Sequence, residues 1–321
     1  MTGMFGLADL VAPLGVSEFL TGPWPEECVW HESSATRAAL LRNIPELGSA
    51  AAVLSSADSV GVFVGGGNLR TVPAGEAAIR LYEQGRTCFV RGDHIPRLAT
   101  YAQRITLELG LPQGSMHPEV FCSKGDSGAP MHSDYDVNFT VLVRGNKKWR
   151  LAPNRHIRNQ VNQCFPAPYE KPDSIGTRLA DQRPFPTSMP EDAHVVDIAA
   201  GGLVFVPRGW WHETESRGEC LQVNFVVKRF MWLTIVSRAI RNMLLERPEW
   251  RAYAVDIFAT DGRQDAALDT LAELLPELWN ELDTTFGGDP RRAAGHVIEM
   301  SGLKPAGHRP RTDTAAAAKA G

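Results

Sequence analysis

A chain of 321 residues, 43% hydrophobic and 22% charged, can bury a full-sized core and has room for one small additional domain. Its formal net charge of −4 offers no general attraction to nucleic-acid phosphate, and no run of about 18 apolar residues exists to cross a bilayer. Five cysteines (Cys28, Cys88, Cys122, Cys164 and Cys220) stand singly with no CxxC, which argues against a zinc ribbon or a disulfide framework and predicts reduced thiols in a cytoplasmic protein.

From the N-terminus, MTGMFGLADLVAPLGVSEFL lacks a basic region followed by a continuous apolar core, so no signal peptide is expected. SATRAALLRNI (34–44) opens on capping residues and has helical spacing; SVGVFVGGG (59–67) reads as a strand running into a glycine turn. AGEAAIRLYEQG (74–85) is a helix closed by Gly85, and TCFVRG (87–92) a short strand. In IPRLATYAQRITLELGLP (95–112), Leu98, Tyr101, Ile105 and Leu109 fall on one helical face that stops at Gly110. Residues 1–115 are thus expected to be a mixed α/β region packing on a core that follows.

From 116 to 229 the pattern becomes short strands separated by turn residues: EVFCS, VNFTVLV, KKWRLAP, HVVDIAAGGLVFVP, WWHETES and CLQVNFVV. Such a series predicts an antiparallel sandwich or barrel. VLVRGNKKWRLAP is expected to turn back on itself as a hairpin around Arg144-Gly145-Asn146. The segment 154–192, rich in Pro, Asn, Gln and Arg, is an excursion at the rim, either functional or decorative. From 230 to 305 the chain is helical. LDTLAELLPELWNEL (268–282) sets Leu268, Leu271, Leu275, Leu278 and Leu282 on a narrow seam that Pro276 should kink or split. The seam packs on the barrel or on a second copy, giving a homodimer. The tail 306–321 lacks core-forming residues and is expected to be disordered.

His132 and Asp134 lie two apart at the entrance to a strand, so their side chains share a face. An imidazole and a carboxylate on one face are two thirds of a metal site. GGLVFVPRGWWHETES supplies the third member, with Trp210, His212 and Thr214 on one strand face and Trp211, Glu213 and Glu215 on the other. A lone inward histidine also fits an ordinary core; two imidazoles and one carboxylate together fit a facial metal triad with open positions.

HSDYDVNFTVLVRGNKKWRL and GGLVFVPRGWWHETES…LQVNF resemble the JmjC-type, cupin-like branch of the 2-oxoglutarate oxygenases over roughly 75–230. Within that branch they look most like bacterial ribosomal-oxygenase relatives and the asparaginyl hydroxylase of hypoxia-inducible factor. The resemblance implies a mainly β core, a double-stranded β-helix or cupin-like jelly roll, carrying N-terminal α/β additions and a C-terminal helical region. It also implies Fe(II) held by His132, Asp134 and His212, with 2-oxoglutarate as co-substrate and O2.

Lys147 is in phase with Trp149 and Leu151, and a lysine in that inward phase needs an anionic partner; the family's carboxylate-binding cation matches this position. Asn138 and Thr140 share a face suited to hydrogen bonding a co-substrate, and Asn224 on the last strand is another candidate; either asparagine would equally satisfy buried backbone. Where several relatives carry a hydroxyl three residues before the first histidine, this chain has Ala129, which leaves a second contact to the distal carboxylate to Thr140 or a tyrosine. Trp210 and Trp211 are expected to wall the site.

The activity implied is hydroxylation of an amino-acid side chain in a protein or peptide, with release of succinate and CO2. The alternatives are a hydroxylase of a free amino acid or peptide natural product, and a non-oxygenase metal-binding cupin acting as an isomerase or binding module. No nucleic acid or membrane partner is expected.

Overall fold

The computed structural model describes residues 5–64, 69–167, 169–171, 174–228, 231–260 and 262–305. The tail expected to be disordered, and most of the glycine turn after residue 64, lie outside the described residues. The chain divides into two compact units, 1–229 with the tail, and 230–305.

In the first unit short helices and strands alternate before the sheet proper begins. Helices α1 (Leu7–Val11) and α2 (Val16–Thr21) lead to strand β1 (Val29–His31). Helices α3 (Ala35–Arg42) and α4 (Ala50–Ser56) precede β2 (Ser59–Phe63) and β3 (Leu69–Pro73). Helix α5 (Glu76–Glu83), β4 (Cys88–Arg91) and α6 (Pro96–Glu108) complete the region. Leu98, Tyr101, Ile105 and Leu109 are buried on one face of α6, as the sequence spacing predicts, and Gly110 takes φ +68° just beyond it. Ser34 and Ser49 cap α3 and α4, accepting hydrogen bonds from the backbone N–H groups of Arg37 and Ala52.

The remaining strands are β5 (Met116–Ser123), β6 (His132–Ser133), β7 (Val137–Ala152), β8 (His194–Ile198), β9 (Leu203–Val206) and β10 (Trp211–Val227), with helix α7 (Ile175–Leu179) in the excursion between β7 and β8. All pair antiparallel in one large sheet of order β1-β9-β7-β10-β5-β4-β2-β3, with β6 beside β10 and β8 beside β7. This is the mainly β core with N-terminal α/β elements that the sequence implies; strands from both sides of residue 115 share the sheet.

The expected hairpin at 144–146 is not formed. β7 runs through that point as one strand of 16 residues, and WHETES (211–216) with CLQVNFVV likewise falls in the single 17-residue β10. The two long strands pair along their whole length. The turn-like residues instead make a bulge: Gly145 adopts φ +86°, and the register shifts where Arg217–Leu221 faces Asn146–Arg144. One net residue of slip reverses the alternation of β7. Asn138 and Thr140 (even positions) and Lys147 and Trp149 (odd positions) therefore line the same cavity.

Three apolar clusters hold this arrangement. The largest packs Phe5, which precedes α1, and Leu10, Phe19 and Leu41 from the N-terminal helices against Phe139, Phe205 and Phe225 of the sheet. A second joins Leu142, Trp149, Val196 and Val204. The third fixes the excursion, with Ile157, Cys164, Phe185 and Met189 packed on Met131, Ala152 and Trp211. Arg37, 1% exposed, pins the C-terminal end of α1: its Nη1 donates to the carbonyls of Asp9, Leu10 and Ala12, and its Nε to that of Gly201 at 2.7 Å.

The second unit contains α8 (Trp232–Leu245), α9 (Arg263–Phe286) and α10 (Pro290–Met300). Side chains of Arg238 and Asn242 on α8 donate to the carbonyls of Ser301 and Met300 at the end of α10. Pro276 does not split α9, which continues unbroken across it. The carbonyl deprived of its partner by the proline belongs to Ala272, an exposed residue, so the lost bond is not left in a core. No helix among the described residues is long and apolar enough to cross a membrane.

Candidate metal centre

His132 and His212 are Cα partners in the pairing of β6 with β10, and Asp134 leaves β6 two residues on. Their ligating atoms all lie within 4.8 Å of one another. One carboxylate oxygen, Asp134 Oδ2, stands 3.8 Å from His132 Nε2 and 3.6 Å from His212 Nε2. The two rings are 4.2 Å apart at 55°.

The hydrogen bonds fix which ring nitrogen is presented. His132 Nδ1 donates to the carbonyl of Pro130 at 2.7 Å, and His212 Nδ1 to that of Trp210 at 3.0 Å. A carbonyl can only accept, so the proton sits on Nδ1 and the Nε2 lone pair faces Asp134. Burial, followed by the neighbouring His132, holds the His212 imidazolium well below its ordinary range; a neutral ring is the form a metal needs. Two Nε2 atoms and one carboxylate oxygen turned toward one point fit a divalent transition metal, including Fe(II).

All seven residues singled out in the sequence line one cavity of about 580 Å³. Lys147 is 7% exposed, and its Nζ donates to Gln222 Oε1 at 2.7 Å and lies 5.8 Å from the Trp149 ring. Gln222 Nε2 in turn donates to Asn224 Oδ1 at 3.1 Å. Among the described residues Lys147 has no carboxylate partner, and burial lowers its pKa from 10.5 to about 8. The Thr140 hydroxyl, fully buried, has no hydrogen-bond partner among them either. Asn138 Nδ2 lies 3.4 Å from Asp134 Oδ2, directed at the metal cluster as well as the cavity. Ala129, the departure noted in the sequence, is held by Thr214: its N–H donates to Thr214 Oγ1 at 3.0 Å.

The tryptophans do not wall the cavity. Trp211 points to the opposite face from His212, as alternation requires, and packs under the excursion against Phe185. Trp210 precedes the strand, donates its Nε1–H to the Glu26 carbonyl and stacks on His194. Trp149 takes the place expected of them. Thr214 lines the cavity on the face that the sequence alternation assigns it beside His212, and two further lining residues, Gln222 and Gln163, escaped the sequence reading. Gln222 is in phase with His212 on β10, so alternation alone would have found it. Gln163 lies in the excursion, where no period exists; its Nε2 donates to Asp134 Oδ1 at 3.0 Å. The far wall carries Lys228 between Glu119 and Asp136, 3.4 Å from a carboxylate oxygen of each.

Residues 90–230 match the family model of the cupin-like domain. The protein YxbC of Bacillus subtilis (strain 168), described as uncharacterized, is 26% identical over 320 residues, covering 92% of this chain and 96% of its own. HSPB1-associated protein 1 of Homo sapiens is 34% identical over 101 residues, 29% of this chain but only 20% of that protein. Among solved structures, the ribosomal oxygenase YcfD of Escherichia coli in complex with cobalt and 2-oxoglutarate aligns over 83% of this chain and 69% of its own, with 16% identity and a TM-score of 0.46.

Proposed function

We propose that this cupin-like domain is an Fe(II)- and 2-oxoglutarate-dependent hydroxylase acting on an amino-acid side chain in a protein or peptide. One observation carries the reading. The cavity that holds the His132, Asp134 and His212 cluster also buries a lysine and a threonine hydroxyl that, among the described residues, have no carboxylate and no hydrogen-bond partner respectively. A buried ammonium of that kind is costly unless an anion meets it. A dicarboxylate with one end at a metal and the other at Lys147 satisfies both requirements.

His132 Nε2, His212 Nε2 and one oxygen of Asp134 would hold the iron; Lys147 and Thr140 would receive the distal carboxylate. When bound, iron with 2-oxoglutarate and O2 supplies the oxidising chemistry that converts a C–H bond to an alcohol, releasing succinate and CO2. The chain contributes orientation and a dry surrounding. Gln222 positions the Lys147 ammonium, Trp149 shields it from water, and the backbone carbonyls of Pro130 and Trp210 keep each imidazole in the tautomer that faces inward. The cavity is far larger than a five-carbon diacid and continues past the cluster to Phe63, Phe121 and the exposed Arg86, which suits a side chain entering from a larger substrate.

The test is an anaerobic titration of the metal-free protein with Fe(II) and then 2-oxoglutarate, following the visible charge-transfer band of the chelate. The band should disappear in His132→Ala, and Lys147→Ala should need far more 2-oxoglutarate to reach it. Metal binding without any band would overturn the oxygenase reading and leave a non-oxygenase metal-binding cupin. A band would justify screening peptides against free amino acids for the gain of one oxygen.

A further inference from the structure

The strand that carries His132 and leads directly into Asp134 is only two residues long, His132 and Ser133. Its pairing with β10 covers one edge. The other edge is gripped by the excursion between β7 and β8. Ser133 and Cys164 exchange both backbone hydrogen bonds, at 2.9 and 3.0 Å. Gln160, 1% exposed, closes a ring on the same residue: its Nε2 donates to the Ser133 carbonyl at 2.9 Å, and its Oε1 accepts from Ser133 Oγ at 3.0 Å. Between these two anchors Gln163 reaches the Asp134 carboxylate.

The division of labour between the two carboxylate oxygens is specific. Oδ1 accepts from Gln163 Nε2 at 3.0 Å, while Oδ2 faces the Nε2 atoms of both histidines, with Asn138 Nδ2 at the longer distance of 3.4 Å. An ionised carboxylate has no donor, so it must be the amide nitrogen of Gln163 that turns to it. Held in this way, the carboxylate offers a metal one oxygen, and its rotation about the terminal torsion, broad and soft when free, is stopped.

We infer that Gln163 is a positioning residue of the metal centre, and that residues 160–164 of the excursion are a clamp that sets Asp134 as a single-oxygen ligand. The excursion is thereby part of the centre rather than an ornament of the rim. The inference rests on the metal-site reading above, and its test separates the two.

Cobalt(II) alone is the probe, titrated into the full chain without co-substrate and followed by its visible absorption. Asp134→Ala should abolish binding; if it binds as the wild type does, the metal-site reading itself fails. With that control in place, Gln163→Met, which keeps the volume but has no N–H, should weaken cobalt binding about 10- to 100-fold, the usual effect of removing a group that orients a ligand. Its absorption should also change in intensity, because a freed carboxylate can coordinate through both oxygens and alter the geometry. Gln163→Asn, one methylene short of the carboxylate, should behave alike. The metal-free variants should melt within about a degree of the wild type, since half-exposed polar substitutions move stability little. Wild-type affinity and spectrum in either variant would overturn the inference. So would weakened binding that merely accompanies a lowered melting temperature in both, which would make Gln163 structural.

Discussion

Lys147 donates to Gln222 at 2.7 Å from the inside of the cavity, and no carboxylate of the described chain answers its charge. Burial brings its pKa down from 10.5 to about 8. The unfolded chain therefore binds more protons than the folded one between those two values, so stability rises with pH across that window and the penalty is in full force below pH 8. Lys147→Met should relieve a cost on the order of 3 kcal/mol at pH 7, offset by about 1 kcal/mol for the donor Gln222 loses. The metal-free variant is expected to melt a few degrees higher at pH 7, with the gain fading toward pH 10.5, while 2-oxoglutarate binding weakens at least 100-fold. Thermal melts across pH, alongside the titration already described, check both halves. In the wild type, 2-oxoglutarate affinity should decline as pH rises past 8, because the partner cation is lost.

Gly145 is where the phase of β7 changes. Its φ of +86° and the closeness of the Glu219 carbonyl oxygen and the Cys220 sulfur leave no place for a Cβ. Gly145→Ala should cost about 2 kcal/mol or more in a urea unfolding curve. It should also weaken 2-oxoglutarate more than cobalt, since Lys147 lies two residues beyond the bulge and the metal cluster does not depend on it. Equal loss of both ligands would count against that separation.

Arg37 is a test of the scaffold rather than the site. Its guanidinium gathers four carbonyls from the end of α1 and the turn before β9, and burial lowers its pKa from 12.5 to about 10. Arg37→Ala should cost roughly 3 kcal/mol or more, because the carbonyls lose charge-assisted donors inside the core. Arg37→Lys should recover little of this, having no planar fork to span them. Chemical denaturation with both variants settles the matter.

Helix α9 has no buried residue along its 24 positions, and Leu268, Leu271, Leu275 and Trp279 are exposed at 55, 46, 38 and 63%. Of the seam seen in the sequence, Leu268, Leu271 and Leu275 are left exposed, while Leu278 and Leu282 are half-buried. We propose that a second copy covers it. Sedimentation should then show a concentration-dependent dimer, and Leu271→Asp with Leu275→Asp should leave a monomer whose cobalt affinity is unchanged. A wild type that stays monomeric across the accessible concentration range would refute this.

The cluster was legible in the sequence because it needs only strand alternation and two short motifs. His132 and Asp134 are two apart, and His212 opens a strand whose phase is readable from its neighbours. Local period likewise exposed Lys147 and the buried face of α6. What the sequence hid was non-local. Arg144-Gly145-Asn146 has the composition of a turn, and only the long partner strand β10 makes it a bulge, since cross-strand pairing outweighs turn propensity once both sides are present. Trp211 and His212 are adjacent in sequence yet face different cores. Gln163 sits in a segment without period, and its role exists only because Gln160 and Cys164 bring the excursion back onto Ser133. The sequence by itself determined which residues could ligate and which faces were apolar, because both are written in spacing over a few residues. The tertiary structure alone decided how the carboxylate is held and what lies opposite the lysine, because those depend on contacts between segments 27 to 75 residues apart.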